Sequence, residues 1–269
     1  MVGGEAAESR GWRPAMMRFA YLGSGSKGNA ALISTGNTTI LLDCGLGLRE
    51  AEQRLQRLGL GAADLAAIVV THEHADHISG VGPLALRYQL PVWLTAGSLA
   101  GWKDPPRQLV HRMNPHDPFE IGDLQIRPYP VPHDAREPCQ HVFSDGVFRI
   151  GVLTDAGSVT SHMRRALTGC DALLLEFNHD VEMLRNGPYA APLKRRVLGD
   201  RGHLSNAQAG ELLGSLDCSR LKHLVLTHIS ETNNTPEHAL RAAAEALDCE
   251  PDWIVCAHQR DGLAWRELS

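Results

Sequence analysis

The chain has 269 residues, of which 43% are hydrophobic and 21% are charged, and this composition excludes a largely disordered protein. No apolar run approaches the roughly eighteen residues of a membrane span, so no membrane contact is expected. The formal net charge of −5 argues against indiscriminate adhesion to nucleic acid, although a local basic patch can still bind phosphates. Residues 1–16 lack the order of a signal peptide and are predicted to be a disordered leader of a cytoplasmic protein.

From residue 17 onward, short apolar runs bounded by turn residues alternate with stretches of helical periodicity. The runs predict strands over residues 18–22, 30–35, 38–45, 66–71, 91–96, 126–131, 148–155, 172–177, 223–228 and 252–257. Helices are predicted over residues 48–58, 78–89, 158–168, 205–216 and 236–247, and residues 186–206 form the one long loop. Strands in two blocks with helices between them favour an α/β fold, with two packed sheets and helices outside, in a single domain over residues 17–269.

Three histidines and an aspartate follow directly on the buried strand predicted over residues 66–71. A turn at a strand end can direct His72 and His74 to one metal ion, while Asp76 and His77, at the start of the next helix, face a second ion. Imidazole nitrogens and carboxylate oxygens suit zinc, manganese or iron. The cluster therefore predicts a site for two divalent metal ions.

Further candidate ligands cap other predicted strands. His133, Asp155 and His228 each follow an apolar strand, as His72 does. Strands of shared direction place their carboxyl ends on one rim of a sheet, where such sites collect. We therefore expect these three residues beside the first cluster.

The spacing His72-x-His74-x-Asp76-His77 resembles the HxHxDH hallmark of the metallo-β-lactamase superfamily, and the resemblance runs from about Arg18 to the C-terminus. It implies a four-layer αββα sandwich of two mixed sheets with helices outside. It also implies that one metal is bound by His72, His74 and His133, that the second is bound by Asp76, His77 and His228, and that Asp155 bridges both.

Longer segments are similar to the YycJ/WalJ-type branch of that superfamily, which is regarded as a group of 5′-to-3′ DNA exonucleases. They are LGSGSKGNA, THEHADHISGV, VPHDA, LEFNHDVEML and LKRRVLGDRGHLSN. The resemblance implies a phosphodiesterase or nuclease with DNA as substrate and a metal-bridging hydroxide as nucleophile. From its position, Asp76 is expected to orient that hydroxide as well as to bind metal.

The predicted loop over residues 186–206 contributes further candidates. His203 resembles the second-domain histidine that contacts the scissile phosphate or protonates the leaving oxygen in related nucleases. Lys194, Arg195, Arg196 and Arg201 form the densest basic run of the chain, which is either a solvated face or a phosphate-binding surface.

His179, after the strand over residues 172–177, either contacts substrate or hydrogen-bonds within the rim. Glu73 and His141 are expected as partners that fix the ring tautomer of a ligand histidine.

Other functions use the same metal ligands. A small-molecule cyclic phosphodiesterase would enclose its substrate in a pocket, whereas a nuclease needs an open basic groove beside the metals. A thioester or lactam hydrolase has no evident use for the basic segment. A flavodiiron-type redox protein carries a carboxylate in place of the second histidine of the motif, and because His74 is present, hydrolysis is favoured.

Overall fold

The computed structural model describes residues 16–269, so the predicted leader lies outside the described residues except for Met16. The strands are β1 Met17–Gly23, β2 Ala30–Thr35, β3 Thr38–Leu42, β4 Ala67–Val69, β5 Val92–Leu94, β6 Val110–Arg112, β7 Phe119–Ile121, β8 Leu124–Pro130, β9 Cys139–Ser144, β10 Arg149–Leu153, β11 Ala172–Glu176, β12 His223–Thr227, β13 Val255–Cys256 and β14 Leu263–Leu268. The helices are α1 Leu48–Arg57, α2 Ala75–Ile78, α3 Val81–Tyr88, α4 Ala96–Gly101, α5 Ser161–Leu167, α6 Val181–Asn186, α7 Ala191–Val197, α8 Asn206–Gly214 and α9 Pro236–Leu247. Within this range no helix has both the length and the apolar character needed to cross a membrane.

The strands form two mixed sheets with similar layouts. The first sheet has the order β14-β1-β2-β3-β4-β5-β6, and the second has the order β13-β12-β11-β10-β9-β8-β7. In each sheet the pairs at one end are antiparallel and the pairs at the other end are parallel. Strands β3, β4, β8, β10, β11 and β12 consequently end at one rim of the sandwich.

Both faces of each sheet are covered, which explains the continuous apolar runs in the sequence. Successive residues of a strand point to opposite faces. In β11, Leu174 faces the core between the sheets, whereas Leu173 and Leu175 pack beneath α5, α8 and α9. In β2, Ile33 faces the core between the sheets, while Leu32 packs beneath α1 and α3. The predicted four-layer αββα sandwich is confirmed.

Residues 186–206 differ from the prediction, because part of this segment is helical. The prediction of one continuous loop is wrong for Ala191–Val197, which forms α7. Pro192 lies in the first turn of α7, where the missing N–H costs no hydrogen bond. A short helix with mostly exposed side chains leaves no amphipathic pattern to detect.

Several short elements also lack a sequence prediction. The strands β6 and β7 have three residues each, too few to show a period. Strand β9 buries Gln140 and His141, so it does not have the apolar pattern of its neighbours. The last strand, β14, pairs along β1, and most of its residues are half-buried or exposed.

Candidate metal centre

The rim where these strands end carries all seven predicted ligands. His72 follows β4, His133 follows β8, Asp155 follows β10 and His228 follows β12. The remaining three, His74, Asp76 and His77, lie at the N-cap of α2 and within it. The strand directions thus bring side chains far apart in the sequence to one place.

Backbone conformation helps to aim three of the rim residues. Asp43, Asp155 and His228 adopt left-handed φ angles of 59°, 53° and 51° directly beyond their strands. This conformation costs a non-glycine residue about 1–3 kcal/mol and is typical of functional sites held by surrounding structure. Each turn directs its side chain back across the strand ends.

Three imidazoles converge in the first group. His74 Nδ1 lies 3.1 Å from His72 Nε2 and 3.1 Å from His133 Nε2. Two nitrogens that each lie about 2.0–2.1 Å from a tetrahedral zinc ion would be about 3.3 Å apart, which is close to these distances. The ring of His133 donates from Nδ1 to the Gly202 carbonyl at 3.0 Å, so in the neutral ring the lone pair at Nε2 faces the group.

The second group adds carboxylates. His77 Nε2 lies 3.5 Å from Asp76 Oδ2, and His228 Nε2 lies 3.4 Å from the same oxygen. Asp155 Oδ2 is 2.8 Å from His77 Nε2, and its Oδ1 is within 4 Å of both His133 and His228. Asp155 therefore lies between the two groups, in the position that the predicted bridging role needs.

The donor set fits divalent cations. His77 Nδ1 donates to the carboxylate of Asp43 at 2.8 Å, and its Nε2 lies 2.8 Å from Asp155 Oδ2. That oxygen is buried, and no residue in the described part of the chain donates a hydrogen bond to it. A buried carboxylate oxygen without a hydrogen-bond donor is stabilised by a nearby cation, so the residues present suit the metals that the motif predicts.

The surrounding carboxylates change the pKa values of the imidazoles. Burial opposes protonation of His228, but the charges of Asp155, Asp76 and Glu176 outweigh it and raise the pKa of His228 to about 10. Burial raises the pKa of Glu176, but His203 and His228 outweigh it and lower that pKa to about 2. The site consequently has a high affinity for positive charge.

Three residues that hold the ligands were missed by the sequence reasoning. Asp43 accepts hydrogen bonds from His77 and from the backbone and hydroxyl of Thr71. Glu176 lies 3.4 Å from His228 Nδ1, and Asn178 lies 3.1 Å from the same nitrogen. Glu176 is fully buried in the structure. Its position at the end of a predicted apolar strand could have indicated, from the sequence alone, an acid that supports the site.

Glu73 and His141 were expected to hydrogen-bond to ligand histidines, but they contact other residues. Glu73 accepts a hydrogen bond from the backbone of Arg136, and His141 contacts Cys139. Neither forms a hydrogen bond with a ligand histidine, because His141 lies in the middle of strand β9 opposite Pro128, and Glu73 packs against Gly101. The expectation for these two residues is therefore wrong.

A cleft of about 410 Å³ opens over the carboxylate side of the site. Asp76, Asp155 and His228 lie at its base, and His203 and Arg196 lie on its wall. His203 donates from Nδ1 to Glu176 Oε1 at 2.7 Å and is also 3.2 Å from Asp155 Oδ1. The predicted catalytic residues Asp76 and His203 thus border one space.

The predicted substrate-binding residues are more scattered. Arg196 lines the cleft, and its guanidinium pairs with Asp134 at 2.5 Å. Lys194 donates to the carbonyl of Arg185, and Arg195 and Arg201 are exposed outside the cleft lining. The imidazole of His179 is buried away from the cleft, where it lies 3.3 Å from the side chain of Asn178.

Removing the charge of Asp43 should weaken the metal centre. Asp43→Asn keeps the side-chain shape and tolerates the left-handed backbone, but it removes the carboxylate that polarises His77. We expect affinity for at least one metal to fall about tenfold to a hundredfold, measured by competition with a coloured chelator. Asp252→Asn, which removes an exposed charge elsewhere, is the matched control. Unchanged affinity for both metals would show that Asp43 has only a structural role.

The fold and the candidate metal ligands at its rim define a class of protein. The sequence profile of the beta-lactamase superfamily domain matches residues 38–229. The chain belongs to the metallo-β-lactamase superfamily and is a metal-dependent hydrolase, and both predictions are confirmed.

Relatives narrow the membership to the predicted YycJ/WalJ-type branch. The exodeoxyribonuclease YycJ of Bacillus anthracis is 34% identical over 86% of this chain and 89% of its own length. The exodeoxyribonuclease WalJ of Streptococcus pneumoniae is 35% identical over 82% of this chain and 85% of its own length. The metallo-β-lactamase fold protein YhfI of Bacillus subtilis superposes with a TM-score of 0.72 at 19% identity, over 94% of this chain and 100% of YhfI, and supports the fold alone.

Proposed function

We propose that the protein is a dinuclear metal-dependent exonuclease that degrades DNA in the 5′-to-3′ direction. The observation that carries this proposal is the opening of the predicted two-metal site onto a cleft bordered by His203 and Arg196. The similarity to two exodeoxyribonucleases over more than four-fifths of the chain supports the choice of DNA.

The predicted metals are assigned to His72, His74 and His133 on one side, to Asp76, His77 and His228 on the other, and to Asp155 between them. Two divalent ions held by these residues would lower the pKa of water and offset the negative charge that builds at phosphorus. Zinc and manganese are the candidates, with iron as an alternative.

Asp76 is placed to orient the attacking water. Its side chain is 24% exposed and lines the cleft. Hydrogen bonds and ion pairs of its carboxylate with Asn29, His77 and His228 all involve Oδ2. Oδ1 is therefore available to accept a proton from water as it attacks.

His203 is placed to donate to the phosphate or to the leaving oxygen. Because Nδ1 donates to Glu176, the other ring nitrogen is available to the cleft. Glu176 is fully buried and also contacts His228, so it fixes the orientation of both rings. A positioned imidazole of this kind can transfer a proton without reorganisation of its surroundings.

Arg196 is the basic residue best placed to contact a substrate phosphate. Its guanidinium binds both oxygens of Asp134, which itself lies 3.5 Å from His133 Nε2. The arginine side chain is 52% exposed, and an exposed ion pair of this type contributes little stability. A phosphate can therefore replace Asp134 as its partner.

The direct test is digestion of labelled DNA by metal-free protein to which manganese or zinc is returned. We expect mononucleotides to be released from the 5′ end of a linear duplex, while a covalently closed circle stays intact. Cleavage of the circle would contradict an exonuclease. Efficient hydrolysis of cyclic nucleotides without DNA digestion would favour the phosphodiesterase alternative.

The basic segment provides a second test. Replacing Lys194, Arg195 and Arg196 together with Ala should weaken duplex binding and reduce the slope of log K against log salt by about 0.9 for each DNA phosphate that the protein no longer neutralises. Binding is measured by fluorescence anisotropy of a labelled duplex between low and moderate salt. Rates on bis-p-nitrophenyl phosphate provide the reference for the catalytic centre.

A matched triple variant controls for net charge. Arg49, Arg57 and Arg241 are exposed residues of α1 and α9 outside the cleft, and their replacement by Ala changes the net charge equally. The same reduction of slope in both variants would show that overall charge is responsible. An equal decrease of the rates on DNA and on the small diester, with an unchanged slope, would show that these residues act in folding or, through Arg196, at the scissile phosphate alone, and do not hold the duplex.

A further inference from the structure

The cleft over the predicted metal site has one apolar wall. Tyr189, Leu193 and Val197, from α7 and the turn before it, line the side that also carries Arg196. Leu193 is 37% exposed, and it is the one strongly exposed large hydrophobic residue among residues 16–269 that lines this cleft. Phosphodiester hydrolysis requires polar groups, so an apolar wall indicates a second part of the substrate.

A buried amide lies beside this wall. Asn233 lines the cleft and is 1% exposed, and its Oδ1 has no hydrogen-bond partner within residues 16–269. It packs against Gly187, two residues before Tyr189, where an added Cβ would be 2.5 Å from Oδ1. Because Oδ1 faces Gly187, the Nδ2 end of this amide is the one that can donate a hydrogen bond to a ligand in the cleft.

The main chain holds Asn233 and the wall in position. The Asn233 carbonyl accepts from the backbone of Asp180 at 2.9 Å, and its N–H donates to Ser230 Oγ at 3.1 Å. The backbone N–H of His203 donates to the Val197 carbonyl at 3.1 Å, and this bond ties α7 to the catalytic residue. The apolar wall and the amide are thus fixed relative to the chemistry.

We propose that Tyr189, Leu193 and Asn233 form a binding subsite for the nucleobase of the nucleotide that is being removed. A nucleobase has an apolar face for the wall and a polar edge for the amide. Stacking on an aromatic ring tolerates every base, which suits an enzyme that degrades DNA of any sequence. The cleft volume of about 410 Å³ is near the lower end for small-ligand sites and suits about one nucleotide.

This subsite rests on the proposed nuclease function, because the base must be carried by the phosphodiester at the metal centre. Arg196 and Asp76 border the same cleft as Tyr189, so one nucleotide can contact all three. An unattached apolar ligand would have no use for Arg196 or for the metals. The shared cleft therefore favours a nucleotide over other occupants.

The test compares two linear duplexes that differ only at the 5′-terminal nucleotide, which carries either a base or a tetrahydrofuran abasic analogue. With the manganese-loaded protein, we expect kcat/KM to favour the base-bearing end by about tenfold, within the range for base–aromatic stacking. Tyr189→Ala should reduce this ratio to near one, and Asn233→Ala should reduce it by a smaller factor. Tyr189→Phe keeps the aromatic face and should keep the ratio.

Leu198→Ala is the matched control, because Leu198 is 41% exposed at the end of the same helix but does not line the cleft. Its ratio should equal that of the unaltered protein. The ratio of kcat/KM on the two duplexes does not depend on the folded fraction of a preparation. If Tyr189→Ala does not fold, Leu193→Ala is tested in its place. Digestion of DNA with no preference for a base would overturn the subsite alone, whereas absence of DNA digestion would overturn the proposed function.

Discussion

Asp155→Ala should lose bound metal and nearly all hydrolytic activity. Its carboxylate lies 2.8 Å from His77 and within 4 Å of both His133 and His228, so the variant removes the ligand shared by the two groups. Two metal ions supply several kcal/mol of transition-state stabilisation, which corresponds to about a thousandfold or more in rate. Metal content by mass spectrometry and turnover on labelled duplex DNA are the measurements.

The matched control for this variant is Asp171→Ala. Asp171 is also a buried aspartate at a strand end, but it binds Arg220 and the backbone of Arg149 at the opposite end of the second sheet. Its replacement should lower stability while the folded protein keeps both metals. Two bound metals and normal turnover in Asp155→Ala would refute the bridging role.

His203→Ala should lower turnover by about a hundredfold or more, the range for a positioned general acid, while both metals remain bound. The imidazole donates to Glu176 through Nδ1, which leaves its other ring nitrogen available to the cleft. Glu176→Gln keeps an acceptor for the ring but removes its charge, so a smaller decrease is expected. Turnover and metal content are measured on the same samples.

His162→Ala, an exposed histidine of α5, controls for the removal of an imidazole elsewhere. His203 Nδ1 is only 3.2 Å from Asp155 Oδ1, so His203 is close enough to bind a metal ion itself. If His203→Ala loses one equivalent of metal together with activity, then His203 is a ligand. Normal turnover would remove it from the mechanism.

The sequence by itself was sufficient for the family, the fold class and the set of candidate metal ligands that the structure brings to one rim. The motif from His72 to His77 is local, so its spacing can be read without knowledge of the fold. The continuous apolar runs before His133, Asp155 and His228 indicated buried strands, and the rule that strand ends share a rim placed these three residues beside the motif.

Only the tertiary structure showed which residues support the site. Asp43 and His77 are 34 positions apart, and Glu176 and His203 are 27 apart, so no periodicity connects them. Tyr189 and Asn233 come from different segments that meet only where α7 lies over the rim. Periodic patterns report whether a side chain faces the core or solvent, whereas partners across strands and loops depend on how the two sheets pack and on the turns that end them.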